Sequence, residues 1–361
     1  MGVRVVSLFS GCGGLDVGFD QAGFEIIYAN DIDRDVWETY EKNNKLSIDR
    51  RSLFDIPSTE IPEADGIIGG PPCQSWSLAG AMRGIHDKRG MLFYEYVRVL
   101  KDKMPKFFVA ENVPGMLSST HRMEFKKIIA AMAKIGYKVS YHVYDARNYG
   151  VPQERKRIII VGIRKDLRFS FSPPPPTHSK GNGVGLDGRE LQKWVTLKEA
   201  IGNLPQAVPA LEKNKPNPAA NFPNHEFMVG NFSTIYMSRN RKKGWEDQSF
   251  TIQAGGRHAP LHPDSCPMQK SGEDKWVFTG DSYRRLTVRE AARIQTFPDG
   301  FTFYYTNVGQ GYKMVGNAVP VKLANAVALK IQQDFALKIH ERELSQETDL
   351  PFEPSINLKL L

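Results

Sequence analysis

The sequence predicts an α/β protein, with a Rossmann-like domain and a smaller, irregular second domain. Three observations predict this fold. Strand and helix patterns alternate along the first part of the chain, beginning at Val3. The alternation stops at residues 173–176, a run of prolines that should form an extended spacer. Residues 177–230 are rich in Gly, Pro and Asn with little periodicity, so we expect loops and short strands there.

The first unit is a strand, a glycine turn and a helix. Val3–Phe9 is a β-rich run, Ser10–Gly14 is the turn, and an apolar-periodic stretch begins at Leu15. Such a turn lets the backbone approach a ligand at the helix N-terminus. A second strand, Glu25–Ala29, is followed by Asp31 at about the position where Rossmann-like units bind a ribose. The full GxGxxG spacing is missing, which favours a nucleoside without pyrophosphate over NAD; a plain tight turn is the alternative.

A single thiol follows the next strand pattern. Gly66–Ile68 reads as a buried strand, and Cys73 comes directly after Pro71 and Pro72. The prolines fix φ and remove two backbone donors, so the loop presents the thiol with little freedom to lose. A thiol held in this way can act as a nucleophile, and a buried structural cysteine is the alternative.

Two later strand patterns are flanked by charged residues. Phe107–Ala110 leads into Glu111, and a carboxylate at the carboxyl end of a strand in an open α/β sheet lies where such folds bind ligands. Arg155 and Arg157 precede the strand Ile158–Val161 and alternate in an extended chain, so they should point together. An exposed glutamate and edge charges that prevent aggregation are the alternatives. Helical patterns lie at Asp35–Asn43, Met91–Lys101, Phe125–Lys134 and Val321–His340.

Together, in this order and each at a strand end, these segments resemble the cytosine-5 DNA methyltransferases of bacterial restriction-modification systems. The resemblance continues in residues 285–298 and 316–320. It covers residues 3–164 and 283 to about 335, and the stretch between them corresponds to the family's variable region.

The resemblance implies a discontinuous arrangement of domains. A catalytic S-adenosylmethionine-dependent methyltransferase domain would comprise residues 1–168 and 316–340. A target-recognition domain with a hinge would comprise residues 169–315, and a polar, loose tail would begin at Glu341 and end at residue 361.

The family's catalytic roles map onto four residues of this chain. Cys73 matches the nucleophile that attacks carbon 6 of cytosine, which makes the ring an enamine whose carbon 5 can accept a methyl group. Glu111 matches the group that supplies a proton or hydrogen bond to ring nitrogen 3. Arg157, with Arg155 as support, matches the arginine pair that contacts the ring carbonyl and favours the thiolate.

The methyl donor implied by the family is S-adenosyl-L-methionine, and the product is S-adenosyl-L-homocysteine. Asp31 matches the ribose contact, and Ile32 matches its adenine-facing neighbour, where several family members carry a bulky aromatic residue. Asp55 and Ile56 match the pair that reads the adenine edge. The other positions matched to the cofactor lie in the glycine loop and the C-terminal block: Phe9, Gly11, Gly13, Gly14, Asn317 and Val319.

DNA recognition is expected in the variable region. Residues 239–245 read as a basic loop, with a solvated charged loop as the alternative, and residues 249–258 read as a strand entering a glycine loop. Thr251 with Ile252 resembles the short Thr-aliphatic signature of the family's recognition domain. A stacked cytosine must be flipped to reach Cys73, and residues 77–89 could close over it. Candidate DNA contacts are Pro72, Gln74, Ser77, Asn112, Arg239, Arg241, Lys242, Thr251 and Arg257.

Composition agrees with this function. The 361 residues carry a net charge of +8 and a pI near 9.2, which suits a polyanionic partner. Three cysteines without a CxxC pair argue against a disulfide framework and a zinc site. Neither a signal peptide nor a membrane-spanning stretch is apparent. With this composition, the resemblance implies a monomer without metal that acts on double-stranded DNA in the bacterial cytoplasm, with a separately encoded restriction endonuclease as a further partner.

Two alternatives remain open at this point. An RNA cytosine-5 methyltransferase would share the fold, but its recognition region is usually compact, whereas residues 165–282 form a sizeable insert here. A silent nucleic-acid-binding homologue would typically have lost a catalytic residue, and the four named above are all present. An amino-group methyltransferase would carry an aromatic residue after its two prolines, where this chain has Cys73.

Overall fold

The α/β fold is confirmed by a seven-stranded, mostly parallel sheet. The computed structural model describes residues 2–72, 88–185 and 187–348. The strands run in the spatial order β3-β2-β1-β4-β5-β7-β6, and every neighbouring pair is parallel except β5–β7 and β7–β6, which are antiparallel. Their bounds are β1 Val3–Leu8, β2 Phe24–Asn30, β3 Ile48–Asp49, β4 Gly66–Gly69, β5 Phe107–Asn112, β6 Tyr137–Asp145 and β7 Lys156–Arg164.

Each predicted helical pattern corresponds to a helix. The helices are α1 Gly14–Gln21, α2 Arg34–Asn44, α3 Lys88–Lys103, α4 Arg122–Lys134, α5 Leu197–Ile201, α6 Val288–Ile294, α7 Val308–Asn317 and α8 Val321–Thr348. The prediction of a loose tail from Glu341 is wrong over residues 341–348, which continue α8. These residues are polar, but Glu, Leu, Arg and Gln among them are good helix formers, so polarity alone does not end the helix.

Both faces of the sheet are covered by helices. On one face, Leu15 and Phe19 of α1 pack with Leu323 and Val327 of α8 in a buried cluster beneath β1, β5 and β7. On the other face, residues of α3 and α4 form a second buried cluster against β4 and β5. Strands covered on both faces read as continuous apolar runs, which is why β1, β4, β5 and β7 were recognisable in the sequence. The half-exposed β6 was not.

The region after the proline run consists of loops and short strands, as predicted. Its strands form three small sheets: β8 His178–Ser179, β9 Gly183–Val184, β10 Glu190–Lys193, β11 Val208–Pro209, β12 Glu226–Phe227, β13 Met268–Gly272 and β14 Lys275–Phe278. The strand predicted within residues 249–258 is not formed. Ser249 makes one bridge to Gln153, and the amide of Ile252 donates to the Gln153 side chain rather than to a neighbouring strand. Over the described ranges, no helix is long and apolar enough to cross a membrane.

Candidate active site

A cavity of about 530 Å³ lies at the carboxyl ends of β1, β2, β4 and β5. Its volume is typical of sites for small organic ligands, and its place is where open α/β sheets bind them. Many of the residues singled out in the sequence meet here. Those that line the cavity are Phe9, Gly11, Gly14, Asp31, Ile32, Pro72, Glu111, Asn112, Arg157, Asn317 and Val319.

The glycine loop after β1 forms the floor of the cavity. Phe9, Gly11 and Gly13 adopt positive φ angles of 55°, 57° and 95°. This conformation is uncommon for a non-glycine residue, and a strained backbone of this kind is found preferentially at functional sites. The N-cap of α1, Gly13, makes no side-chain capping bond. The first-turn amides are thus not used by a cap and can meet a ligand.

Gly14 is the point where the C-terminal block contacts the glycine loop. A Cβ atom at this position would lie 2.6 Å from the carbonyl oxygen of Val319 and 3.1 Å from the Cβ of Ala318. Because one of these atoms belongs to the backbone, no side-chain rotation could relieve the clash. The two cavity walls therefore depend on glycine here for their close approach.

Asp31 is fixed by backbone donors. Its Oδ2 accepts a hydrogen bond from the amide of Gly11 at 2.8 Å, and its Oδ1 accepts one from the amide of Asp33 at 2.8 Å. Burial raises the pKa of Asp31 to about 6. Each carboxylate oxygen can still accept a second hydrogen bond. The neighbouring Ile32 is 60% exposed, so an apolar side chain is available at the cavity.

Asp55 and Ile56, the pair expected to read the adenine edge, lie away from the cavity. Ile56 is buried in the core and Asp55 is exposed, and neither lines the cavity. Residues 51–53 line it instead. β3 ends at Asp49, so the chain turns past the cavity immediately afterwards and has left it by Asp55. The side-chain amide of Asn30 holds this turn by donating to the carbonyl oxygen of Arg51 at 2.8 Å.

Glu111 and Arg157 form a buried ion pair in the cavity wall. Arg157 Nε lies 2.8 Å from Glu111 Oε1, and both side chains are only slightly exposed. Burial raises the pKa of Glu111, while the charges of Arg157 and Arg155 act in the opposite direction. A methyl group placed on Gly70 would lie 3.5 Å from Glu111 Oε2, so this carboxyl group borders the loop that leads to Cys73.

Arg155 is close enough for its charge to act on Glu111, but its hydrogen bonds go elsewhere. It is fully buried and does not line the cavity. Its guanidinium donates to the carbonyl oxygens of Ile252, Gly316 and Ala318 at 2.8–2.9 Å. Arg155 and Arg157 therefore act on the same carboxylate, but only Arg157 pairs with it directly, because carbonyl groups of two distant segments accept the hydrogen bonds of Arg155.

The structure describes the surroundings of two of the three cysteines, Cys12 and Cys266. Cys73 lies outside the described residues, as do Gln74 and Ser77, while Pro72 immediately before it lines the cavity. Asn112 Nδ2 donates to the carbonyl oxygen of Pro71 at 3.1 Å and holds the approach to this thiol. Burial raises the pKa of Cys12 to about 12, so this thiol is not ionised at neutral pH. Cys266 lies just before β13, where its thiol donates to the Gly280 carbonyl oxygen.

The candidate DNA contacts fall into two groups. Arg239 and Arg257 are exposed and Lys242 is half-buried, so these side chains remain available for DNA. The exposed Arg239 and Arg257 give this surface positive charge, and burial together with the charges of these and other neighbouring arginines lowers the pKa of His258.

Two of the predicted DNA contacts make hydrogen bonds within the protein. Arg241 is buried and donates to the carbonyl oxygens of Tyr236 and Ile235 at 3.0 and 3.1 Å. The Thr251 hydroxyl donates to the carbonyl oxygen of Glu154. Both side chains satisfy backbone acceptors within the protein. Residues 77–87 of the loop predicted to close over the base lie outside the described residues, and residues 88–89 belong to α3.

Asp16 and Lys313 are among the cavity residues that the sequence reading missed. Asp16 is fully buried, and its carboxylate accepts hydrogen bonds from Ser7 Oγ at 2.7 Å and Tyr40 OH at 2.5 Å. Burial raises the pKa of Asp16 to about 6. An aspartate within an apolar helical stretch was the available signal. Lys313 Nζ lies 2.8 Å from carboxylate oxygens of Asp33 and Asp35. Asp33 is 280 positions away in the chain, so no local sequence pattern could have predicted this pairing.

Comparison with known proteins adds a family relationship to this geometry. The family model described as C-5 cytosine-specific DNA methylase matches residues 3–333. The chain is 54% identical over 328 residues to the Type II methyltransferase M.MthTI of Methanothermobacter thermautotrophicus, covering 90% of this chain and 95% of that protein. It is 51% identical over 328 residues to the Type II methyltransferase M.FnuDI of Fusobacterium nucleatum, covering 89% and 92%. The solved structure of the Entamoeba histolytica methyltransferase EhMeth has a TM-score of 0.66 at 17% identity, covers 93% of this chain and 99% of that chain, and supports the fold alone.

Proposed function

Because the chain belongs to the C-5 cytosine-specific DNA methylase family, we propose that it methylates carbon 5 of a cytosine in a short, specific double-stranded DNA site. The proposed reaction uses S-adenosylmethionine and passes through a covalent adduct of Cys73 with the flipped base. One observation carries the proposal: the glycine loop, the Glu111–Arg157 pair and the proline loop before Cys73 meet at one cavity.

The cavity fits S-adenosylmethionine. Its volume of about 530 Å³ is adequate, and the glycine loop provides a floor that a Cβ at Gly14 would disrupt. Asp31 would accept hydrogen bonds from the ribose hydroxyls, and Ile32 would contact the adenine ring. Residues 51–53 and the C-terminal block, including Asn317 and Val319, would complete the site. When bound, S-adenosylmethionine supplies the methyl group as an electrophile.

Cys73 would start the reaction on the base. Its thiolate attacks carbon 6 of the cytosine, and the electrons move through the ring toward nitrogen 3 and the ring carbonyl. A duplex stacks this carbon out of reach, so the cytosine must first be flipped, at a cost of a few kcal/mol. The positive charge of Arg157 in the wall would favour the thiolate over the thiol.

Glu111 and Arg157 would stabilise the charge that develops on the ring. A protonated Glu111 donates its proton, or a strong hydrogen bond, to nitrogen 3, and burial favours this protonated form. Arg157 would donate to the ring carbonyl oxygen. After carbon 5 has gained its methyl group it loses its proton to a base. The Cys73–carbon 6 bond then breaks, Cys73 leaves as the thiolate and the nitrogen 3 proton returns to Glu111.

Gly14→Ala is expected to weaken the binding of S-adenosylhomocysteine by at least about tenfold, because the added methyl group would push Val319 away from the glycine loop. Isothermal titration calorimetry measures this directly. Gly300→Ala is the matched control, since a Cβ at Gly300 meets open space. Equal affinities for both variants and the wild type would show that this contact does not shape the cofactor site.

Methyl transfer tests the proposed function as a whole. The protein is incubated with radiolabelled S-adenosylmethionine and either double-stranded DNA or transfer RNA, and the product is digested to nucleosides. The expected product is 5-methyldeoxycytidine from DNA. Label in 5-methylcytidine from RNA would favour the RNA enzyme, and no transfer to either would favour a silent nucleic-acid-binding protein. Conversion sequencing of genomic DNA from a host that expresses the protein would then identify the methylated site.

The biological setting is part of the proposal. The relatives reported above are named Type II methyltransferases, which supports a restriction-modification system with a separately encoded endonuclease. We propose that the protein acts as a monomer on the DNA of a bacterial cytoplasm. Target recognition is assigned to residues 169–315, and catalysis to residues 1–168 with 316–340.

Arg257 and Lys242 are expected to contribute differently to DNA binding. Arg257 is exposed on the turn Gly256–His258, and we expect it to read a base edge. Arg257→Ala should reduce discrimination between the methylated site and altered sites by about 1–3 kcal/mol. Lys242→Ala should weaken binding to all duplexes alike and lower the salt slope of log K by about 1. Fluorescence anisotropy across a salt series measures both. An equal loss for all duplexes in Arg257→Ala would make Arg257 a phosphate contact.

A further inference from the structure

Three distant segments of the chain meet at the buried guanidinium of Arg155. Its Nη1 donates to the carbonyl oxygen of Ile252 at 2.8 Å. Its Nη2 donates to the carbonyl oxygens of Gly316 and Ala318, both at 2.9 Å. Arg155 thus joins the strand that carries Arg157 to a segment of the recognition region and to the C-terminal block.

Two buried glutamines make a second connection between the same segments. Gln153 Oε1 accepts a hydrogen bond from the amide of Ile252 at 2.8 Å, and its Nε2 donates to Gln295 Oε1 at 2.9 Å. Gln295 Nε2 in turn donates to the carbonyl oxygens of Val315 at 2.9 Å and Ala318 at 3.2 Å. Neither glutamine is exposed to solvent.

The recognition segment and the C-terminal block also touch directly. A Cβ at Gly316 would lie 2.3 Å from the carbonyl carbon and oxygen of Gln253 and 2.4 Å from the amide nitrogen of Ala254. These are backbone atoms, so the two segments cannot move closer or slide without disturbing each other.

The two ends of this connection face different ligands. On one side, Asn317 lies between the two carbonyl groups that Arg155 holds, and it lines the cofactor cavity. On the other side, Ile252 is followed by the exposed residues Gln253 and Arg257 on the positive surface around His258. The guanidinium of Arg155 holds both backbone segments. A ligand that orders one of them therefore also affects the other.

We propose that Arg155 is a positioning residue that couples cofactor binding to DNA binding. The inference rests on the proposed function, which supplies the two ligands. A cofactor that orders residues 316–319 reduces the conformational-entropy cost of ordering the segment around Ile252 when DNA binds, because Arg155 links the two segments. Thermodynamic linkage makes the effect reciprocal: DNA must strengthen cofactor binding by the same factor.

Binding of each ligand in the presence and absence of the other tests the coupling. The DNA probe is a labelled duplex that carries the site found by conversion sequencing, and the cofactor probe is S-adenosylhomocysteine, which permits no turnover. For the wild type we expect the duplex to bind at least about fivefold more tightly at saturating S-adenosylhomocysteine. For Arg155→Gln, which cannot bridge the two segments, we expect this ratio to fall to about one.

Two further variants separate coupling from stability. Arg155→Lys keeps the charge but has a single ammonium group to reach both segments. We therefore expect a ratio of duplex affinities between that of the wild type and one. If Arg155→Gln does not fold, this variant decides the test. Arg164→Gln is the matched control at the other end of β7, where Arg164 donates to the Met104 carbonyl oxygen and pairs with Asp166. It should keep the wild-type ratio even if its melting temperature falls.

The outcomes distinguish the inference from the function on which it rests. A wild-type ratio retained by both Arg155 variants, or a ratio of one in the wild type, would overturn the coupling role. A wild type that binds neither the duplex nor S-adenosylhomocysteine would overturn the proposed function and the inference with it. A ratio lost in Arg155→Gln and kept in Arg164→Gln supports the inference.

Discussion

Cys73→Ser is expected to lower methyl transfer by several orders of magnitude while leaving the fold and cofactor binding intact. A serine hydroxyl is hardly ionised at neutral pH, so the attack on carbon 6 loses its nucleophile. The two other cysteines offer no substitute. The thiol of Cys12 is buried with a pKa raised to about 12, and Cys266 lies beside the β13–β14 hairpin of the recognition region.

A duplex containing 5-fluorocytosine at the target position identifies the nucleophile. Fluorine does not leave as a proton does, so the wild-type enzyme should remain covalently bound to the base through Cys73 and survive denaturing electrophoresis. Cys266→Ser serves as the control and should form the adduct at the wild-type rate. A peptide map that places the adduct on Cys12 or Cys266, or an adduct formed by Cys73→Ser, would show that the nucleophile has been misassigned.

Glu111→Gln is expected to slow the methyl-transfer step by about 10²- to 10⁴-fold, the usual contribution of a positioned general acid. Glutamine keeps the shape of the side chain but has no carboxylic proton to give to nitrogen 3. It also leaves the guanidinium of Arg157 without the carboxylate that lies 2.8 Å away. Because the change acts on the chemical step, the affinity for DNA should change much less than the single-turnover rate.

Single-turnover kinetics with pre-bound duplex measures this effect. Glu154→Gln is the matched control: Glu154 lies next to Arg155 in the sequence but pairs with Lys243 at 3.0 Å outside the cavity, and the rate should stay near that of the wild type. An unchanged rate in Glu111→Gln would exclude Glu111 from the mechanism.

The pH dependence adds a second measurement for Glu111. Burial raises its pKa, so the protonated acid persists to a higher pH than in a free glutamate. The wild-type rate should therefore fall as the pH rises through this raised pKa, and this alkaline decline should be absent in Glu111→Gln.

The order of strands and helices around the seven-stranded sheet was predictable from the sequence because it depends on local patterns. Buried strands such as β1 and β5 are continuous apolar runs, and helices such as α2 and α4 show their period over successive turns. The convergence of Asp31 and Glu111 was predictable for a related reason. Both follow or end parallel strands, and the carboxyl ends of such strands meet at one edge of the sheet.

Contacts between distant segments were not predictable. Arg155 and Thr251 are residue types common in catalytic or DNA-binding sites, yet each donates to a backbone carbonyl group 97 positions away in the chain. Whether an arginine faces a ligand or a buried carbonyl depends on which segments fold against it. For Arg155 those segments lie 97 to 163 positions along the chain.

The sequence by itself determined the α/β fold, the family and the strand ends that build the cavity, because periodicity and motif order are properties of neighbouring residues. The tertiary structure alone decided that residues 51–53 rather than Asp55 and Ile56 line the cavity, that Lys313 pairs with Asp33 and Asp35, and that Arg155 joins the recognition segment to the C-terminal block. Each of these depends on where a turn ends or on which backbone groups remain unpaired after packing, and a buried polar group takes whichever partner the fold brings within hydrogen-bond distance.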